Sequence, residues 1–269
     1  MVAVNDERVF RDCLRVSPVI DERCQVVVKR GYENAGKAYN SGLAEADHEI
    51  VVFAHQDVFL PATWLANLSR VLAQLEAVDS NWGVLGPFGV ARAGGFRGHC
   101  YSTGLRRILG SSFDKPIPAQ SLDEFVLIVR RSSGLKFDEN LPGFHLYGAD
   151  ICLEAAIRGI ASYIIPAFCI HNANGVVRIP AAFWRGWFYL RRKWMQKLPV
   201  STCCTTITKW CTPVVHRLAL EAKWTLFPRE VGSRCENIRD LYAQLATGDS
   251  RIRVSDASSS EMEVAQIQC

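Results

Sequence analysis

The sequence lacks several features that would each identify a class of protein. No apolar run approaches the roughly 18 residues that a membrane-spanning helix needs. No two of the ten cysteines have Cys-x-x-Cys spacing, so neither a zinc pair nor a redox pair is indicated. The N-terminal residues match neither a signal peptide nor a transit peptide. We therefore expect a cytoplasmic protein without a disulfide framework, in which most cysteines are reduced.

Acidic residues are also missing from one long interval. Between Glu154 and Glu221 there is no Asp or Glu, whereas the same interval contains nine cations. They are Arg158, Arg178, Arg185, Arg191, Arg192, Lys193, Lys197, Lys209 and Arg217. Such a basic stretch indicates an anionic partner, namely a diphosphate, a lipid headgroup or a nucleic acid, and the alternative is a solvated basic face. Without a recognised motif, nucleic-acid binding is not expected.

Short β-rich runs alternate with helical patterns over the first 170 residues. Residues 25–29 and 49–54 are predicted strands on either side of a helix over 34–46, which makes a β-α-β unit with parallel strands. A long helix follows Pro61, and residues 89–121, rich in Gly, Ser and Arg, are predicted to be loops. The remaining predicted strands are 83–88, 125–129 and 162–165, with a helix over 149–158 that ends at Gly159.

The predicted secondary structure and the composition of the chain change after Asn172. Helices are predicted over 180–198, 213–226 and 239–246, the first two rich in Trp and basic residues. We therefore expect an α/β domain over 1–172, a helical appendage over 173–247 and a disordered tail over 248–269. Aromatic and basic residues over 183–197 suit a peripheral membrane contact, and packing of this helix on the α/β domain is the alternative.

Polar residues follow the predicted strand 49–54 at its carboxyl end, where open α/β sheets bind ligands. Asp57 offers a hard oxygen ligand for Mg²⁺ or Mn²⁺ carrying a diphosphate, or else it caps the following turn or helix. His55 points to the same side as Asp57 if the chain stays extended. The glycine-containing stretch over 30–42 fits neither the dinucleotide fingerprint nor the Walker loop.

Two further segments contain candidate chemistry. Asp150 lies at the start of a predicted helix, where it is either a general base or a first-turn carboxylate favoured by the helix dipole. His171 follows an apolar run and opens the basic region, so it is a candidate ligand for a divalent metal or a phosphate, unless it is structural.

Taken in order, these pieces resemble the family-2-like glycosyltransferases of the GT-A fold. The resemblance spans about residues 1–200 and is closest to a subgroup with His-Gln-Asp where most relatives have Asp-x-Asp. It rests on Asn40-x-Gly42, His55-Gln56-Asp57, Pro61-x-x-Trp64-Leu65, Leu122-Asp123-x-Phe125, Phe144-His145-x-Tyr147, Asp150-x-Cys152-Leu153 and His171. It implies a Rossmann-like, mostly parallel sheet flanked by helices, followed by the helical appendage.

The resemblance also implies a reaction, which is transfer of a sugar from a nucleotide-sugar to an acceptor hydroxyl with inversion. The acceptor would be a carbohydrate or a lipid-linked molecule, as in cell-surface polysaccharide biosynthesis. Asp57 and His171 would hold Mn²⁺ or Mg²⁺, and Asp150 would be the catalytic base. Substrate-binding roles would fall to Asn5, Asp6, Asn40, His55, Gln56, Asp123, His145 and Tyr147, with Asn5 and Asp6 near the nucleotide base.

Two departures from the family pattern keep other functions open. His55 replaces an Asp, which removes one negative charge from the expected cation site. Gly148 stands where relatives often have an acidic residue. The alternatives are a non-catalytic nucleotide- or sugar-binding protein of the same fold and a nucleotidyltransferase, although the Gly-rich basic loop usual in the latter is absent.

Overall fold

The computed structural model describes residues 1–227 and 230–247, so the predicted tail lies outside the described residues. The helices of this part are α1 (Glu7–Asp12), α2 (Ala35–Glu45), α3 (Trp64–Val78), α4 (Tyr147–Ile157), α5 (Ala181–Lys193), α6 (Thr212–Leu226) and α7 (Ile238–Ala246). The first seven strands are β1 (Val2–Val4), β2 (Val28–Arg30), β3 (Ile50–Ala54), β4 (Val58–Phe59), β5 (Trp82–Gly86), β6 (Phe88–Ala91) and β7 (Phe96–Ser102). The others are β8 (Arg107–Gly110), β9 (Ile117–Leu122), β10 (Val126–Arg130), β11 (Ala161–Ile164), β12 (Cys169–His171), β13 (Val200–Ser201) and β14 (Thr206–Ile207).

Local sequence signals explain where the helices of the α/β region begin and end. Asn34 caps α2, because its side-chain oxygen accepts a hydrogen bond of 2.8 Å from the Lys37 amide. The apolar stripe of α3 is buried against the sheet through Trp64, Leu68, Val71 and Leu75. After α4, Gly159 adopts a φ of +71°, the left-handed conformation that glycine accepts without strain and that ends the helix.

The strands nearest the N-terminus share one direction. β1 pairs in parallel with β2, and hydrogen bonds from the Met1 amine to the Val52 carbonyl and from the Ala54 amide to the Met1 carbonyl place β1 beside β3. Both β3 and β5 are antiparallel to β10, which lies between them, and β11 is parallel to β5. The predicted α/β class, with helices flanking a large sheet, is confirmed, and the β-α-β unit is formed by β2, α2 and β3.

The rest of the sheet corrects two expectations. Residues 89–121, predicted to be loops, form strands β6 to β9 in an antiparallel arrangement, so the sheet is mixed rather than mostly parallel. Gly98 shows why a glycine-containing segment can pair here. A Cβ at this position would lie 2.4 Å from the Pro87 carbonyl oxygen, so only glycine permits this close approach of the backbones.

The helical appendage joins the core of the α/β region. Phe183, Trp187 and Leu190 of α5 are fully buried in the same hydrophobic cluster as the strands. Ile238 of α7 packs in a smaller cluster with Phe59. The domain boundary at residue 172 stays a prediction. Among the described helices, every one is too short or too polar to cross a bilayer.

Candidate functional site

Strand pairing brings two distant segments together at the carboxyl end of β3. The chain leaves β3 at Ala54, turns, and forms β4, which pairs antiparallel with β12 so that Val58 lies opposite His171. The Asn172 amide donates a hydrogen bond of 2.7 Å to the Asp57 carbonyl and extends this pairing. Residues 55–57 and residue 171 therefore meet at one edge of the sheet.

His55, Asp57 and His171 form a cluster of metal-ligating side chains. Within the described part of the chain, this is the one such cluster of three or more residues. One ligand atom from each lies within 4.8 Å of the others. His171 Nε2 lies 3.6 Å from Asp57 Oδ1, and the two imidazole rings are 5.7 Å apart. The side chains of Asp57 and His171 are 14% and 26% exposed, so a cation can enter from solvent. One carboxylate and two imidazoles suit a divalent transition metal.

The protonation states of the cluster also suit a cation. Burial lowers the pKa of His55 to about 4, so its imidazole is neutral at pH 7 and has a free lone pair. Burial alone would raise the pKa of Asp57, but the positive charges of His171 and Arg234 outweigh it and lower that pKa. Burial acts to lower the pKa of His171, and the Asp57 carboxylate outweighs it and raises that pKa.

Tyr147 orients the imidazole of His55 through a hydrogen bond. Its hydroxyl lies 2.8 Å from His55 Nε2 and donates a hydrogen bond of 3.1 Å to the Glu124 carbonyl. With the hydroxyl proton used in this way, Nε2 is the donor to Tyr147. Nδ1 of His55 is then the nitrogen with a free lone pair. Such a hydrogen-bonded partner is what fixes the tautomer of a metal-binding histidine.

Arg234 is a component of the site that the sequence analysis missed. Its guanidinium lies 3.4 Å from Asp57 Oδ2, and its Nε donates a hydrogen bond of 2.9 Å to the Asn172 carbonyl. Two asparagines hold the surrounding segment in place. The Arg234 amide donates to the Asn174 side chain, and the Cys235 amide donates to the Asn172 side chain. A fixed positive charge therefore lies beside the carboxylate of the cluster.

A cleft of about 630 Å³ opens next to the cluster. Five of the predicted site residues line it, namely Asn5, His55, Gln56, Asp57 and His145. Lys29, Arg30 and Tyr32 are further lining residues that the sequence analysis did not propose. Lys29 and Arg30 are paired with Glu45 and Glu7, and Glu7 also lines the cleft, so the cleft combines the candidate cation ligands with paired charges and the aromatic ring of Tyr32.

Gln56 connects the first strand to this cleft. Its side-chain oxygen accepts hydrogen bonds of 3.0 and 3.1 Å from the amides of Asn5 and Asp6. Asp6 itself caps α1, because its carboxylate accepts hydrogen bonds from the Arg8 and Val9 amides. Asn5 therefore lies at the cleft with Gln56, while the carboxylate of Asp6 has a structural use.

An acidic pair lies under the cluster at the start of β10. Burial raises the pKa of Asp123, against the opposing charge of His171. Burial, together with the charge of Asp123, also raises the pKa of Glu124. The ring of Phe125 stacks on His171 with centroids 5.1 Å apart, which places this segment directly against the cluster. Asp123 and Tyr147 thus lie close to the site without lining the cleft in the described chain.

Asp150 lies elsewhere in the interior and is only 1% exposed. One carboxylate oxygen accepts a hydrogen bond of 2.7 Å from the Trp194 indole, and Lys193 Nζ lies 2.8 Å from the same oxygen and 3.0 Å from the other. A base must reach the acceptor hydroxyl, so this placement suits the structural alternative, a paired first-turn carboxylate, better than the expected base.

Asn40 also differs from its expected surroundings. Its side-chain amide exchanges hydrogen bonds of 2.9 and 3.0 Å with the Phe137 backbone and donates to Glu139. All of these contacts hold the segment around residue 137 against α2. The structure does not bring Asn40 to the cleft described above.

Comparisons with known proteins give partial similarities. No family model matches the sequence. The protein described as ATP synthase subunits region ORF 6 of Fuscovulum blasticum is 31% identical over 130 residues, which cover 47% of this chain and 52% of that one. The crystal structure of GalNAc-T7 with UDP, GalNAc and Mn²⁺ aligns with a TM-score of 0.41 and 11% identity, over 82% of this chain and 46% of that one. The mannosyltransferase PcManGT from Pyrobaculum calidifontis, in complex with GDP-Man and Mn²⁺, aligns with a TM-score of 0.39 and 15% identity, over 90% and 68%.

The chain spans about half the length of the Fuscovulum protein and of GalNAc-T7. None of these similarities assigns a function to this chain.

Proposed function

We propose that this protein is a metal-dependent glycosyltransferase that moves a sugar from a nucleoside-diphosphate sugar to an acceptor hydroxyl. One observation carries the proposal. His55, Asp57 and His171, from segments more than a hundred residues apart, place their ligand atoms within 4.8 Å of one another beside a cleft that His55 and Asp57 line. The motif resemblance to family-2-like glycosyltransferases agrees with this geometry.

His55, Asp57 and His171 would hold the cation, Mn²⁺ or Mg²⁺. When bound, such a cation neutralises the charge that develops on a nucleoside-diphosphate leaving group. The same donor set also binds iron(II) in other proteins, so the metal must be identified by experiment. Neutral His55 and ionised Asp57 are already in the protonation states that a cation requires, and the raised pKa of His171 means that a proton competes with the cation at that ring.

The side chains around the cluster would bind the donor. The Arg234 guanidinium, beside Asp57, is suited to a diphosphate oxygen, since guanidinium and phosphate form paired charge-assisted hydrogen bonds. Asn5 and Gln56, linked to each other at the cleft, would lie with the nucleoside, and Tyr32 offers a ring for stacking. His145 lines the same cleft and packs on Phe183 of α5, which fixes its position.

Inversion at the sugar requires a carboxylate that takes the acceptor proton. Asp150 remains the residue predicted from the resemblance, although Lys193 and Trp194 occupy its oxygens. Asp123 is the second candidate, because it interacts with His171 beside the cluster and because burial raises its pKa, which makes its ionised form a stronger proton acceptor. In this proposal the acceptor is a carbohydrate or a lipid-linked hydroxyl compound.

The test is release of nucleoside diphosphate from a panel of nucleotide-sugars, with Mn²⁺, with Mg²⁺ and with a chelator. We expect the cation to be required and Asp57→Asn to lower turnover at least about 100-fold, because the leaving-group charge would lose its stabilisation. Asp114→Asn, which changes an exposed carboxylate between β8 and β9, is the matched control. Circular dichroism confirms that each variant is folded.

Turnover that survives both the chelator and Asp57→Asn would contradict the proposal. Stabilisation by a donor and Mn²⁺ in a thermal-shift assay, with no product from any acceptor, would instead support the non-catalytic binding protein. Asp123→Asn and Asp150→Asn in the same assay identify the base, since its loss lowers turnover and leaves donor-dependent stabilisation intact.

A further inference from the structure

Helix α6 presents apolar side chains to solvent and charged ones to the protein. Its buried members are Arg217 and Glu221, which form an ion pair of 2.8 Å. Glu221 also accepts a hydrogen bond of 2.9 Å from the Ile179 amide, which fixes this side of the helix against the protein. Val215 and Leu218 are 64% and 53% exposed. Val214 of the same helix packs on the main core, so α6 has apolar side chains on its exposed side as well as on its buried side, unlike an ordinary surface helix.

The exposed apolar side chains continue on both sides of α6. Trp210 precedes the helix and is 76% exposed, and Leu226 and Phe227 at its other end are 77% and 68% exposed. Several large apolar side chains exposed to solvent along one helix indicate an interaction surface.

Helix α5 contributes the neighbouring part of the same surface. The Arg191 guanidinium donates hydrogen bonds of 3.0 and 2.5 Å to the Lys209 carbonyl, which holds the Lys209–Trp210 segment beside α5. Phe188 lies three residues before Arg191 on the same side of α5, and Met195 lies in the turn over 195–197 that follows the helix. They are 45% and 37% exposed.

We define the appendage surface by these exposed apolar residues, which are Phe188, Met195, Trp210, Val215, Leu218, Leu226 and Phe227.

The exposed charges of the segments that form the appendage surface are of one sign. The chain has no acidic residue from 155 to 220, and Glu221 is buried in its ion pair with Arg217. The exposed cations of the same segments are Arg185, Arg192, Lys197, Lys209 and Lys223. A second copy of the chain placed symmetrically on this surface would bring like charges together, which opposes self-association.

We propose that the appendage surface binds the interface of an anionic lipid bilayer. Its Trp, Phe and aliphatic side chains would enter the boundary between headgroups and acyl chains, and its cations would contact the anionic headgroups. The surface overlaps the membrane contact expected over 183–197 through Phe188 and Met195, whereas Phe183, Trp187 and Leu190 of that segment are buried in the core. The proposal does not depend on sugar transfer, since its readout is vesicle binding alone.

The test is co-sedimentation of the full chain with vesicles of phosphatidylcholine, alone or mixed with phosphatidylglycerol, at low and high salt. We expect binding to the mixed vesicles that weakens at high salt. Two double variants separate the two contributions: Trp210→Ser with Leu218→Ser, and Arg192→Glu with Lys209→Glu. Each should weaken binding at least about tenfold, since each removes apolar area or reverses charge at the bilayer surface.

The matched controls are Val78→Ser on α3, where the side chain is 77% exposed, and Lys136→Glu on the α/β region. Both should bind vesicles as the unchanged protein does. Absence of binding at low salt, or equal binding by the double variants and the controls, would overturn the proposal. It would also be overturned by ultracentrifugation that shows a dimer abolished by the Trp210 and Leu218 changes, or by DNA binding without vesicle binding.

Discussion

The hydroxyl of Tyr147 is the partner of His55 Nε2, and this contact decides which nitrogen of His55 is free for a cation. We expect Tyr147→Phe to lower the affinity for Mn²⁺ about 10- to 100-fold, the usual effect of removing a group that orients a metal-binding histidine. Isothermal titration of the purified protein with MnCl₂ measures the change directly.

Tyr163→Phe provides the control for this substitution. The Tyr163 hydroxyl donates a hydrogen bond of 2.7 Å to Asp79. Tyr163 lies on β11, a strand that does not contribute to the metal cluster. This variant should bind Mn²⁺ like the unchanged protein. Equal Mn²⁺ affinities for Tyr147→Phe and the unchanged protein would show that Tyr147 does not orient His55.

The residues of the site differ in how far the sequence could predict them. The pairing of Asp57 with His171 could be predicted from the family resemblance, although the strand that ends at His171 was not itself predicted. Arg234 could not, since it lies in an irregular segment 177 residues from Asp57 and no local pattern marks it. Its position depends on Asn172 and Asn174, and such contacts exist only once the chain has folded.

Among the elements, α5 is held to α4 by a cluster of charges around Lys193. Its ammonium group lies 2.8 Å from Asp138, 2.8 Å from Asp150 and 3.1 Å from Glu154. We expect Lys193→Met to destabilise the protein by about 3–5 kcal/mol, because it leaves buried carboxylates without their cation. Urea unfolding followed by circular dichroism measures this difference in the free energy of unfolding.

Lys197→Met is the matched control, because Lys197 is an exposed cation four residues further along. Its free energy of unfolding should change by less than about 0.5 kcal/mol. If Lys193→Met unfolded at the same urea concentration as this control, the charge cluster would have no part in fixing α5 on α4.

Element predictions succeeded where local signals decide and failed where tertiary contacts decide. The predicted helix over 34–46 matches α2, which Asn34 caps, and the predicted stop at Gly159 follows α4, because helix ends depend on neighbouring residues. The strands over 89–121 were missed, since their glycines suggest loops until the close approach at Gly98 is seen. The aromatic residues of α5 had two interpretations, a membrane contact and packing on the α/β region. Burial of Trp187 shows that packing accounts for much of that helix.

At the scale of the whole molecule, the candidate metal site joins parts of the chain that are far apart. His55 and Asp57 follow β3, whereas His171 ends β12 and Arg234 lies near the C-terminal helix. A cation bound to the cluster is therefore bound to the folded chain only, because the unfolded chain does not bring its ligands together. Binding of this kind stabilises the native state by mass action.

This linkage predicts that Mn²⁺ raises the melting temperature and that the increase depends on pH. At about 100 times its Kd, Mn²⁺ should add about 2.7 kcal/mol to the free energy of unfolding. Without metal, the raised pKa of His171 gives a stabilisation that is present at low pH and lost as the pH rises through that pKa. With metal the dependence reverses, since His171 must be deprotonated to bind it.

Differential scanning calorimetry should therefore show a Mn²⁺-induced increase in melting temperature that shrinks as the pH falls from about 8 to about 6. Asp57→Asn should show no increase at any pH, and an increase that is constant or grows toward low pH would exclude His171 as a ligand.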